Sequence, residues 1–213
     1  ISSSNINYIA VGIPVKKFGF GFGVLPYSST GFNLQSDESY NTNNSVNTRL
    51  FAANGGINRV FFSVGFPLTK FLSLGLTTNY NFGKFKYESF NLYEGVNYGI
   101  YSNSSSDISG FNYQFSSNID IPIKKDLNFN IMLSYSPSSI LNSVNTQDLY
   151  TSTTNLINLN SLGDFVEVNL EERGLKYTEL RVPKKYIYGV GLGNYNKWYI
   201  GAQIEKRFSS NFE

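Results

Sequence analysis

The chain has 213 residues, with 17 Lys and Arg against 15 Asp and Glu, a formal net charge of +2, no Cys and no His. Those absences exclude a disulfide framework, a zinc–thiolate site and a cysteine nucleophile, and they remove the usual general base of hydrolases along with most transition-metal ligands. No catalytic residue, metal ligand or cofactor is therefore assigned, and dispersed lysines at near-neutral charge leave nucleic acid outside the expected partners.

Aromatic residues make up 16% of the chain and Gly numbers 19, a balance that favours strands over helices. No apolar run reaches the roughly 18 to 20 residues of a transmembrane helix, so a helical membrane protein is excluded.

In chain order, strands are expected over about 3–14, 18–35, 48–67, 71–89, 108–123, 127–136, 185–193 and 197–208, with a further one within 150–182. The first two meet in GIPVKKFGFGFGV (12–24), which returns as GFPLTKFLSLGL (65–76) and DIPIKKDLNFNI (120–131). Each copy reads as a short hairpin turn. Proline cannot donate to a ladder and so marks a strand end, at Pro14, Pro67 and Pro122, and lysine follows it into water. A fourth turn, GNYNK (193–197), uses Gly and Asn instead.

Beyond the first turn, Phe18, Phe20, Phe22 and Val24 alternate with Gly19, Gly21 and Gly23, the period-two pattern of a strand. The Gly-x-Gly spacing here and at Gly189, Gly191 and Gly193 lacks the third position of a phosphate-binding fingerprint and reads as small residues on one face. Farther along, LPYSSTGFN places Pro26, Tyr27, Ser28, Ser29 and Gly31 inside a long strand. A bulge or kink is expected there, either a lateral opening between strands or a simple bend near the outer rim.

Leu72, Leu74, Leu76, Tyr80 and Phe82 share a face opposite Ser73, Gly75, Thr77, Asn79 and Asn81, and Phe129, Ile131, Leu133 and Tyr135 repeat the pattern. Between the hairpins, 35–47, 93–107 and most of 136–185 are rich in Asn, Ser, Thr and Tyr and read as long loops, the last as a long extracellular loop or hairpin region. Phe51, Tyr87, Phe90 and Tyr93 read as a hydrophobic ligand surface near the outer mouth or as an aromatic girdle. Asp164, Glu167, Glu171 and Glu172 match no calcium-loop template and read as a charged hairpin or short helix rather than a metal site.

Short turns at one end and long loops at the other characterise bacterial outer-membrane barrels. A water-facing sheet normally carries many Lys, Glu and Arg, whereas these polar faces are mostly Gly, Asn, Ser and Thr. The expectation is an all-β, up-and-down antiparallel transmembrane β-barrel in a bacterial outer membrane, with a soluble barrel or sandwich as the weighed alternative. Open strand edges are not viable in lipid, so either eight strands close a small barrel or further strands belong to it.

Three stretches, LPYSSTGFN (25–33), NGGINRVFFSVGFPLTKFLSLGLTTNYNFG (54–83) and VPKKYIYGVGLGNYNKWYIGAQIE (182–205), resemble FadL/TodX-like (OMPP1) outer-membrane proteins of the Bacteroidota type. The resemblance implies a barrel of more strands than counted here, with a plug segment, passing hydrophobic molecules such as long-chain fatty acids by passive diffusion. On that footing residues 1–213 are one partial barrel domain without the plug and some strands, and the chain is a fragment of a longer barrel.

The expected partners are outer-membrane lipid and lipopolysaccharide, a small hydrophobic ligand, and proteins of an outer-membrane complex. The alternative function is an accessory or scaffold barrel subunit of a larger outer-membrane secretion or nutrient-uptake complex, without transport of its own. An enzyme is not expected.

Overall fold

The structure, a computed structural model, describes residues 8–40, 45–92, 96, 98–124, 126–152, 162–194 and 197–208. They form one antiparallel sheet of eleven strands: β1 (Ile9–Val15), β2 (Phe18–Tyr40), β3 (Ser45–Pro67), β4 (Leu72–Leu92), β5 (Gly99–Lys124), β6 (Leu127–Ser136), β7 (Ser139–Ser152), β8 (Leu162–Glu167), β9 (Tyr177–Val182), β10 (Lys185–Asn194) and β11 (Trp198–Arg207). Eight of them follow one another in the order β1-β2-β3-β4-β5-β6-β10-β11, and β7 carries β8 and β9 off this path. Among the described residues β1 pairs only with β2 and β11 only with β10, so the sheet is open and does not close into the expected barrel.

The eight strands on the path correspond to the eight expected from the sequence. Their ends differ. Residues 35–40 and 45–47 continue β2 and β3, which stay in register to Tyr40↔Ser45, and 136–185, expected as a loop or hairpin region with one further strand, holds β7, β8 and β9 among its described residues. Asn, Ser and Thr on both faces erase the apolar alternation that marks a strand, although the ladder itself needs only backbone groups.

β6 and β7 form one line broken at Pro137 and Ser138, and β9 and β10 form its partner broken at Pro183 and Lys184. Ser139↔Val182 and Ser136↔Lys185 keep a single register across both breaks. Proline lacks the N–H that a ladder requires, so Pro137 and Pro183, one step apart in this register, interrupt both lines at one height.

One row of side chains runs Ile13, Phe20, Val64, Leu76, Phe115, Tyr135 and Tyr186 across seven neighbouring strands. On this outer face β4 is apolar or weakly polar from Leu72 to Phe82 and then carries Lys84, Lys86 and Glu88. At a rise of ~3.3 Å per residue and a ~45° tilt that stretch climbs roughly 24 Å, close to the ~25 Å apolar band of an outer-membrane barrel.

The opposite face changes in the reverse sense. Alongside the belt it carries Gly19, Gly65, Gly75, Ser116 and Ser134 in one row, while beyond the belt Ile57, Ile108 and Leu141 form a buried cluster packed by Phe85 and Val182. Around this boundary the sheet is thus apolar outside in one zone and apolar inside in the next, while farther along β4 and β5 the partners Phe90 and Tyr101 are buried on the outer parity. Leu170, from the turn between β8 and β9, is also buried in the second zone.

Candidate functional site

The two zones meet in a layer of polar side chains on the inner face. Its first member is placed by a bulge: Pro26 pairs with Asn58 and Ser28 with Ile57, which leaves Tyr27 as the extra residue of β2. An extra residue re-aims its side chain, and the Tyr27 ring lies 3.8 Å from the Arg59 guanidinium carbon, a cation–π contact.

Arg59 stands opposite Asn81, and Asn79 opposite Asn112, in the β3–β4 and β4–β5 ladders. The Arg59 Nε donates to Asn81 Oδ1 at 2.8 Å, and Asn81 Nδ2 donates to Asn112 Oδ1 at 2.7 Å. Asn79, Asn81 and Asn112 are all buried. Each hydrogen bond in such a network is worth about 1 kcal/mol net, but a buried amide left unpaired costs about 1–3 kcal/mol, so the network holds three strands at one height.

Across the curl of the sheet Lys185 and Arg207 are ladder partners on the same face. Glu205 bridges them: the Arg207 Nε donates to Glu205 Oε1, and Lys185 Nζ lies 3.6 Å from Glu205 Oε2. Tyr27, Arg59, Asn112, Gln114, Ser136, Lys185 and Arg207 line a single cavity of about 50 Å³ together with Pro137 and Pro183. Residues from both ends of the strand order therefore converge on one narrow space.

Of the residues singled out in the sequence, Tyr27 belongs to this layer; Pro26 and Ser28 frame the bulge, while Ser29 and Gly31 continue the ladder opposite Gly56 and Asn54. The strands stay paired on both sides of the bulge. Phe51 and Tyr87 stand on the inner face of the second zone, opposite Ser89 and Ala53 respectively, and both are exposed. Phe90 has the opposite parity and is buried; Tyr93 lies outside the described residues.

The aromatic row on the outer face stands elsewhere, with ring pairs Tyr80–Phe111 at 4.9 Å and Tyr135–Tyr186 at 4.8 Å. Glu167, Glu171 and Glu172 are exposed around the β8–β9 turn, where Glu171 pairs with Lys176 at 2.8 Å. That hydrogen bond holds the Glu171 carboxyl below the usual carboxylate range.

Sequence reasoning missed Arg59, Asn81, Asn112, Lys185, Glu205 and Arg207. A signal was present: Arg59 shares parity with Phe61, Ser63 and Gly65, so a charge stands in a face of uncharged residues.

A family model described as BamG matches residues 1–213. None of the curated proteins and none of the solved structures matches the chain. The FadL/TodX resemblance is corrected by this match, because strand texture and short apolar phrases recur wherever a sheet is apolar on one face and small on the other, and they do not separate such families. The reach of the match over every residue carries the assignment: the chain belongs to the BamG family, an outer-membrane-associated family of the BAM complex.

Proposed function

We propose that this chain is an accessory outer-membrane subunit of the BAM complex, acting as a β scaffold without catalysis or transport of its own. The observation that carries the reading is the family match over residues 1–213. The inner face supports it. An acyl chain passing along that face would meet Arg59, Lys185 and Arg207 around a cavity of about 50 Å³, displacing their polar contacts without replacing them.

The open edges at β1 and β11 point the same way, since unpaired strands in a bilayer need partners. The belt of Val64, Leu76, Phe115 and Tyr135 supplies the lipid-facing surface of this reading.

The test is native mass spectrometry of the protein extracted from its own membrane in mild detergent. A stoichiometric assembly with other BAM proteins and no bound fatty acid is expected. A lone chain loaded with fatty acid, together with uptake of labelled fatty acid lost on deletion, would return the reading to a channel.

A further inference from the structure

We propose that the cavity between Tyr27, Arg59, Lys185 and Arg207 binds a dianionic phosphate group, either the free ion or the phosphate monoester of a lipid headgroup. The charge count around it is uneven. Arg59, Lys185 and Arg207 line the space, and Glu205 is the one carboxylate that the described contacts give to Lys185 and Arg207. Three cations and one anion leave an excess of two positive charges.

Arg59 has only neutral partners in these contacts, the Asn81 carbonyl oxygen at 2.8 Å and the Tyr27 ring at 3.8 Å. Arg59 and Lys185 are half-buried while Arg207 stands exposed at the rim, and cations drawn together in a partly desolvated space call for a counter-charge. The layer also offers donors in excess: two guanidinium groups, an ammonium, the Asn112 and Gln114 amides, and the Tyr27 and Ser136 hydroxyls.

A cation is excluded by the sign of this field. A carboxylate answers one of the two excess charges, whereas a phosphate monoester carries about −1.5 to −2 and three acceptor oxygens. Guanidinium groups suit those oxygens through paired N–H donors. The volume, about 50 Å³, suits a compact group and leaves an attached acyl chain outside. This inference does not depend on membership in a complex.

The experiment is isothermal titration of orthophosphate, of dimethyl phosphate and of dihexanoyl phosphatidic acid into the protein purified in a zwitterionic detergent. The double variant Arg59→Gln, Arg207→Gln is run alongside, with its circular dichroism melt as the fold control. Saturable binding of orthophosphate or phosphatidic acid is expected, with affinity falling by more than about tenfold in the variant, as loss of charge-assisted hydrogen bonds implies.

Binding of orthophosphate identifies a free-ion site, and binding of phosphatidic acid alone identifies a headgroup site. Should the variant fail to fold, preference of the natural protein for either dianionic ligand over monoanionic dimethyl phosphate decides the matter. No saturable binding, equal binding of dimethyl phosphate, or unchanged binding by a folded variant overturns the proposal.

Discussion

Single residues set how closely β3 and β4 approach just beyond the belt. A Cβ on Gly83 would fall against the Gly56 carbonyl oxygen and 2.7 Å from Ile57 Cα, and Gly55 sits at φ +134, where a side chain is strained whatever the space. Because the obstacle is backbone rather than a movable side chain, Gly83→Ala is expected to cost about 1–3 kcal/mol by forcing the strands apart. Gly31→Ala, with open space around its Cβ, is the matched control and should be near neutral. Urea unfolding of both variants checks this, and equal midpoints would show that the close approach is not needed. Alternation in the sequence assigned glycines such as Gly19 and Gly75 to one face, but it did not reveal that Arg59 reaches Tyr27. Parity tells which way a side chain points, and only the bulge at Tyr27 and the curl of the sheet decide what it meets.

At the scale of elements, the short hairpins were the most legible part of the chain, because Pro67 ends β3 and Pro14 and Pro122 stand one and two residues before the ends of β1 and β5, for a backbone reason that sequence displays directly. Lys16 adopts φ 54 in the first turn, a conformation that the two consecutive lysines did not announce. The outer extensions of β2 and β3 and most of the β7–β9 branch were hidden, since polar residues on both faces leave no periodicity to read; only one strand was expected within 150–182, where β8 and β9 both lie. The edge strands make a prediction of their own. Every residue of β1 and of β11 is exposed, with Ile200 at 73% and Ile204 at 71%, an arrangement that lipid does not tolerate with unpaired N–H groups. Amides of β1 and β11 that face away from β2 and β10 should therefore exchange as slowly in native membranes as amides in the middle of β4. Hydrogen exchange reads this directly, and fast exchange confined to those amides would mean that the edges are not seated in a bilayer.

The whole molecule is organised by an inversion of polarity. Below the Arg59 layer most apolar side chains face outward and the inner face is mainly Gly, Ser and Asn with Phe61 and Met132 among them; above it Ile57, Ile108 and Leu141 face inward and Lys84 pairs with Asp107 at 3.0 Å on the outside. The first arrangement suits a surrounding of lipid and the second a surrounding of water, as in any sheet with one buried face. The polar layer is where neither rule applies, and charged groups collect where the two interiors change places. The change is also visible along β4, where Leu76 and Lys86 share one face, and the absence of cysteine from the chain makes it measurable with single substitutions. In lipid vesicles, Lys86→Cys should react rapidly with a membrane-impermeant maleimide added from outside, while Leu76→Cys should react only after denaturation. If instead both react at the same rate in vesicles, the outer belt is in water, and the two zones must be two parts of a soluble sheet whose apolar row is covered by protein.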